Sequence, residues 1–440
     1  MPSLLLRAFR VRDLRKKILF TLAIIVLFRL GQILPAPGVD VDAVRSCLSG
    51  ASGGIVDAVQ LFSGGAMLKL SVFALGIMPY VVAGIVIQLL TVTVPRLQAL
   101  RKEGQQGQAK ITQYTRYLTV ALAVLDASTV VAMARSGRIF PTCGKQLLRD
   151  QGMLTTLVIV VTLVAGASTI MWLGELVTDR GIGNGMSILI FTQVVAVFPS
   201  YLSNIFVLSP AALVTMLAAG IVLVAAVVFV EQAQRRVPVQ YAKRTIGRKM
   251  HGGTSIYLPL KVNQAGIAPV IFTSSMLFLP QLVAQLTGST GPVAEWISRY
   301  LVSGDHPVYV AAYLLLTVAF TYFYVSITFD PVEVADTMKR HSGFVPGIRP
   351  GRPTASYLAF VLSRLTAPGA AYLAVLSLIP IVAFVLLRDP GTQQNFPFGG
   401  TTVLIMVGVG LETVKQIEAQ FEQRTYRGFL KDLKEIPVRA

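Results

Sequence analysis

Apolar residues gather in ten long runs, at roughly 18–34, 72–94, 114–134, 153–174, 186–206, 210–230, 266–286, 308–329, 368–387 and 399–414. Each is about 16–23 residues long, close to the ~20 that an α-helix needs to cross a ~30 Å hydrocarbon core. The pattern predicts an all-α integral membrane protein with ten transmembrane helices. No stretch between the runs reads as a soluble domain or a low-complexity linker.

Charge orders these helices. Most of the 39 Lys and Arg residues fall in alternate gaps: the amino-terminal tail, 95–113, 175–185, 231–265, 330–367 and the carboxy-terminal tail. Basic loops stay on the cytoplasmic side, so both termini are expected in the cytoplasm. Loop 135–152 dissents, with Arg135, Arg138, Lys145 and Arg149 on the outer face. A composition of 54% hydrophobic and 14% charged residues cannot cover a soluble surface of this size. The net charge of +18 would suit a nucleic-acid binder, but topology accounts for most of it.

The opening RAFRVRDLRKK is a basic amphipathic lead-in. No small-residue cleavage site follows the first run, so no cleavable signal peptide is expected. Cys47 and Cys143 both fall in outward loops; a disulfide between them is one reading, and free thiols, the commoner state of two isolated cysteines in unrelated loops, are the expected one. His251, His306 and His341 have no metal-ligand spacing and read as loop residues.

The chain carries an internal match. The second run contains Gly76-Ile77-Met78-Pro79 and the seventh contains Gly266-Ile267-Ala268-Pro269. Both read G-I-x-P, and each opens the second helix of a five-helix half. Five is odd, so two such halves are oppositely oriented in the membrane, which is the mark of an inverted repeat. The halves are expected at 1–206 and 207–440. Before the second run, residues 53–70 form an apolar segment too short and too glycine-broken to span, with Gly53-Gly54 and Gly64-Gly65 at its ends. It reads either as an interfacial outer helix or as a re-entrant piece folded into a cavity.

Ionisable groups inside the runs are costly. Arg29 lies near the outer end of the first run and can snorkel outward. Asp126 sits near the middle of the third. It is either a coupling acid, as in a secondary transporter of a small solute, or a polar residue in a seam between helices. Glu175 and Asp179 sit at the cytoplasmic end of the fourth run, where charge is cheap. Otherwise the helix middles are Ile, Val, Leu, Ala and Gly. A path lined by such side chains rejects ions by dewetting and grips no particular group. No Walker loop, H-E-x-x-H or nucleophile triad is present, so no enzyme activity, cofactor or metal is expected. The GIGNG run at 181–185 follows no strand and precedes no lysine, and it reads as a tight turn.

Several longer motifs point to a family. FALGIMPYVVAGIVIQLLT (73–91), KEGQQGQAKITQYTRY (102–117), MWLGELVTDRGIGNGMSILIF (171–191), AKRTIGRK (242–249), LPLKVNQAGIAPVIF (258–272) and GFVPGIRPG (343–351) resemble the SecY family of bacterial protein-conducting channels. The resemblance runs from the first run to the tenth. It implies two pseudo-symmetric halves, a re-entrant plug at about 53–70 (Ile55, Val59, Phe62, Gly64 and Gly65), and a pore ring of Ile77, Val81, Ile182, Met186, Ile271 and Ile405. Residues 77 and 81, like 182 and 186, are spaced i, i+4 and would share a helix face. Met186 departs from the aliphatic β-branched pattern, and its flexible side chain would soften the ring.

Further expectations follow from the resemblance. Unfolded preproteins and signal sequences would pass along a hydrated path, and apolar segments would leave sideways into membrane lipids past Gln88, Asp126 and Ser275. Arg235, Arg236, Lys243, Arg244, Arg248, Lys249 and Arg349 form basic loops suited to ribosomal RNA phosphates and acidic protein surfaces. The implied partners are the ribosome, a SecA motor ATPase, and small SecE-type and SecG-type membrane subunits. The implied location is the bacterial cytoplasmic membrane.

Overall fold

Apolar runs that cannot hide from water form helices here, because a helix satisfies its own backbone. A computed structural model of the chain describes residues 11–48, 65–136, 147–148, 150, 152–208, 210–241, 244–246, 249–251, 255–274, 276–277, 296, 300, 306–386 and 400–434. The helices are α1 (Arg12–Ile33), α2 (Val41–Leu48), α3 (Met78–Thr93), α4 (Pro95–Lys102), α5 (Gln105–Arg135), α6 (Met153–Arg180), α7 (Gly185–Leu208), α8 (Pro210–Gln232), α9 (Pro307–Thr328), α10 (Pro331–Arg340), α11 (Arg352–Leu386) and α12 (Gly400–Lys434). The seventh apolar run enters a helix at residue 268.

Among the described residues four helices are long and apolar enough to cross a membrane, or five if the bent pair α3 and α4 counts as one span. Those two helices meet at an angle of 98°. Pro95 fixes the bend, since it opens α4 without an N–H to continue α3. Large apolar side chains stand exposed along α1 (Leu22, Val26, Leu30, Ile33), α6 (Leu154, Leu157, Val161) and α8 (Ile221, Val222, Phe229). Faces this apolar suit hydrocarbon rather than water.

The chain divides into two units. One holds Met1–Leu213, Asp389–Pro397 and Ile405–Ala440, and the other holds Val214–Arg388 and Phe398–Leu404. In the first unit α1 packs on α6 and α7, and α5 packs between α3 and α6. Residues 65–77 are a run of turns rather than the start of a helix. This irregular backbone is buried in protein: Leu68, Leu70, Ser71, Phe73 and Ala74 are all enclosed. It hydrogen-bonds to the end of α1, where Ala36 N–H donates to the Leu70 carbonyl and Val72 N–H to the Leu34 carbonyl, both at 2.9 Å. Gly31 and Gly166 make room for it, because a Cβ on Gly31 would strike the Phe73 ring and one on Gly166 the Val72 carbonyl.

Two expectations need correction. Cys47 is disulfide-bonded, not free. The sequence holds one other cysteine, Cys143, which lies outside the described residues. The segment before Cys47 meets residues 147 and 148 in space: Asp40 N–H donates to the Leu147 carbonyl at 2.9 Å, and Val39 bridges Leu148. Nothing in the spacing of the two cysteines signals that proximity.

The fold is also mostly helical rather than wholly so. In the second unit, β1 (Gln234–Tyr241) pairs antiparallel with β4 (Ser255–Lys261), in register from Gln234↔Lys261 to Gln240↔Ser255. The short β5 (Gly343–Phe344) joins the other edge of β1, and β2 (Arg244–Ile246) pairs with β3 (Lys249–His251). The alternation is legible locally: Val237 and Val239 point in, while Arg236, Pro238 and Gln240 point out. Val237, Leu260, Val345 and Val361 form the core that seats this sheet on α11.

Candidate pore-lining elements and basic loops

The two G-I-x-P sequences build the same local structure, each in its own unit. Gly76 has φ +58° and Gly266 φ +63°, the left-handed region that favours glycine. In each case the next residue's carbonyl opens the helix. Ile77 accepts from the N–H groups of Tyr80 and Val81, both at 3.1 Å. Ile267 accepts from Val270 and Ile271 at 3.2 and 3.3 Å. Proline then fills the first turn, where its missing N–H is harmless. The match is therefore a repeated backbone device that ends an irregular segment and starts a helix.

Ile77 is buried and Val81 half-buried on one face of the α3 start. Ile271 is half-buried one turn into its helix. Ile405 is buried near the start of α12, with Val403, Leu404 and Val407 also enclosed.

Ile182 and Met186 do not share a helix face, because α7 starts at Gly185 and Ile182 precedes it. The GIGNG run is the turn between α6 and α7. Gly183 has φ +81°. Asn184 Oδ1 accepts the Met186 N–H at 3.1 Å, and Thr178 Oγ1 accepts the Gly185 N–H at 2.9 Å. Ile182 is buried against Leu14 and Ile417, with Val11 and Ile18 at the edge. The Met186 thioether lies against Gly174 of α6, where a Cβ would meet its sulfur.

Of the expected plug residues only Gly65 is described, with φ +80°; Ile55, Val59, Phe62 and Gly64 lie outside the described residues. At the expected seam, Gln88 is exposed on α3 and Asp126 is half-buried on α5. Among the described residues no hydrogen bond or ion pair joins Asp126. Ser275 lies outside them.

Arg235 and Arg236 are exposed neighbours on β1, so they project to opposite faces of the strand. Arg244 and Lys249 belong to the β2–β3 hairpin; Lys243 and Arg248 lie outside the described residues. Arg349 is exposed on a tight loop between Gly347 (φ +82°) and Gly351 (φ +103°). Thr354 Oγ1 donates to its carbonyl at 2.9 Å and ties the loop to α11. The preceding α10 is capped by Asp330, whose Oδ1 accepts from Val332 N–H at 2.9 Å.

Two arrangements escaped the sequence reading. Arg116 of α5 forms a bidentate pair with Glu175 of α6, at 2.8 and 2.7 Å. The pair lies in a cleft of about 320 Å³ with Met171, Trp172, Leu176 and Asp179. The second is a cluster around Asn263, signalled only by an Asn three residues ahead of a glycine. No group of three or more metal-ligating side chains occurs among the described residues.

A family model described as SecY matches residues 71–414. The protein translocase subunit SecY of Streptomyces galbus is 58% identical over 434 residues, covering 97% of this chain and 99% of that protein. Its counterpart in Mycobacterium tuberculosis (strain ATCC 25618 / H37Rv) is 53% identical over 442 residues, covering 98% and 100%. Among solved structures, the structure of a protein conducting channel aligns with a TM-score of 0.64 at 19% identity, over 96% of this chain and 94% of that one. Sec61 in the canine ribosome-channel complex from the endoplasmic reticulum aligns with a TM-score of 0.59 at 18% identity, over the same shares of the two chains. At those identities the structural likeness speaks to the fold.

Proposed function

This chain belongs to the SecY family and is the channel subunit of a protein translocase, and we propose that the side chains meeting the polypeptide in transit are Ile77, Val81, Met186, Ile271 and Ile405. The observation that carries this reading is the repeated glycine–isoleucine break, which starts the helix bearing Ile77 and Val81 in one unit and the helix bearing Ile271 in the other. An unfolded chain cannot cross lipid, because its backbone groups would lose water without replacement. Aliphatic side chains offer no fixed hydrogen-bond geometry. They close around many sequences while excluding ions by dewetting. Ile182 has a different part in this proposal: packed on Leu14 and Ile417, it anchors the turn that starts α7.

Residues 53–70 act as the plug, and sufficiently apolar segments leave sideways into lipid past Gln88, Asp126 and Ser275. The exposed Arg235, Arg236 and Arg349, with the β2–β3 hairpin between β1 and β4, form the docking face for ribosomal RNA and a SecA-type motor. Small SecE-type and SecG-type subunits complete the assembly in the bacterial cytoplasmic membrane, with both termini in the cytoplasm. The ribosome-bound setting of the canine Sec61 structure supports the ribosome as a partner.

The test is an arrested precursor with photo-crosslinkers at positions 77, 182, 271 and 405. Adducts are expected from 77, 271 and 405, with little from 182. An arrested chain that touches none of 77, 271 and 405 would overturn the reading.

A further inference from the structure

Three elements of the second unit converge on one enclosed side chain. Asn263 is 3% exposed and lies three residues ahead of Gly266. Its Oδ1 accepts the Gly266 N–H at 3.1 Å. Its Nδ2 donates to the Gly266 carbonyl at 3.2 Å and to Glu231 Oε1 at 2.6 Å. Glu231 is the penultimate residue of α8. Backbone pairing reinforces the junction, since Val262 N–H donates to the Ala233 carbonyl at 3.0 Å. Helix α11 closes over it: a Cβ on Gly369 would meet the Val262 carbonyl and then the Asn263 Cα. One turn along α11, the Tyr372 hydroxyl is buried with no hydrogen-bond partner among the described residues.

A single side chain thus holds both backbone groups of a left-handed glycine and ties them to a carboxylate on another helix. A hydrogen bond to a charged acceptor is short and strong where water is scarce. Gly266 directly precedes Ile267, whose carbonyl opens the helix bearing Ile271. The direction of that helix is inherited from the glycine. The first unit does this differently, because Gly76 N–H donates to the Phe73 carbonyl at 3.0 Å, a backbone contact.

We propose that Asn263, anchored on Glu231, is the positioning residue that aims the Ile271 helix and so keeps the channel tight to ions at rest. The inference rests on the reading of Ile271 as a polypeptide-contacting side chain. It assigns Glu231 an anchoring role at the end of α8 and gives the close approach at Gly369 a purpose.

The experiment measures resting chloride flux through the full chain in its membrane complex, reconstituted in proteoliposomes. Asn263→Ala and Glu231→Ala are each expected to raise the flux about tenfold to a hundredfold, the scale set by losing one hydrogen bond to a charged group. Complex yield should stay near that of the parent, with the thermal midpoint lowered as the lost buried hydrogen bond requires. Glu231→Gln should bring the flux back down, because the glutamine Oε1 still accepts from the Asn263 amide and leaves both bonds to Gly266 in place. Ile271→Asn is the control for the underlying reading. If Ile271→Asn leaks while both alanine variants stay tight, Asn263 does not position the helix. If Ile271→Asn is also tight, the contact reading itself fails and the inference falls with it. Should the alanine variants not assemble, Asn263→Asp decides, since it keeps the size and the acceptor for the Gly266 N–H but has no donor for Glu231 or for the Gly266 carbonyl: a leaky channel supports the proposal and a tight one overturns it.

Discussion

The N–H of Ile182 donates to Oγ1 of Thr21, 161 positions earlier in the chain, at 3.2 Å. Thr21 is buried in α1, and its own hydroxyl donates to the Lys17 carbonyl at 3.0 Å. The bond pins the turn between α6 and α7 onto α1. Thr21→Val keeps the shape but leaves the enclosed Ile182 N–H unmatched, at a cost of about 1–3 kcal/mol. The expected outcome is a lower thermal midpoint in detergent, recovered by Thr21→Ser. An unchanged midpoint in Thr21→Val would show that the bond contributes nothing.

Ile77→Asn and Ile271→Asn each place an amide where the proposal needs an aliphatic side chain. Both are expected to raise resting ion leak and to pass precursors with weakened signal segments, as read in reconstituted vesicles. Parent-like leak and selection in both variants would count against the contact residues.

Charge reversal at Arg349 tests the docking face. Its side chain is exposed, and its loop is held through the backbone by Thr354, so the fold should tolerate Arg349→Glu. Motor-driven transport is expected to fall while membrane insertion of the channel stays intact. Undiminished transport would remove this residue from the docking surface.

Gly166→Ala addresses the buried turns at 65–77. The added methyl falls on the Val72 carbonyl, which cannot rotate away as a side-chain tip can. Overpacking of this kind costs about 1–3 kcal/mol. The variant should show a lower thermal midpoint, whereas Gly84→Ala, with open space around its Cβ position, should not.

The Cys47 disulfide predicts a thiol count. Alkylation of the unfolded protein should label no cysteine before reduction and two after it, the full complement of the sequence. Cys47→Ser should lower stability by about 2–5 kcal/mol. Full labelling without reductant would show the pair to be open.

Much of the local structure was legible because it depends on near neighbours. The G-I-x-P pairs announced two helix starts, and both glycines adopt the conformation that residue type favours. GIGNG announced a turn, and Asn184 caps the helix that follows. Distance along the chain is where the reading failed. The i, i+4 spacing of Ile182 and Met186 means a shared face only inside a helix, and α7 starts between them. The loop at 231–265 was read through its charge, so the period-two burial of Val237 and Val239 went unweighed. The Arg116–Glu175 pair and the Asn263–Glu231 anchor join residues 59 and 32 positions apart, and no spacing rule foretells them or the Cys47 bond.

By itself the sequence determined that this chain belongs in a membrane, where the two G-I-x-P helices begin and which loops carry the charge. Hydrophobic length, glycine and proline chemistry and loop charge act locally or through the solvent, and they need no knowledge of the packing. Only the tertiary structure decided which irregular backbone is enclosed, which side chains anchor the two helix starts, and how Ile182 differs from Ile77. Those outcomes depend on which helices meet, and burial turns a single polar contact such as Asn263 to Glu231 from a marginal bond into a directing one.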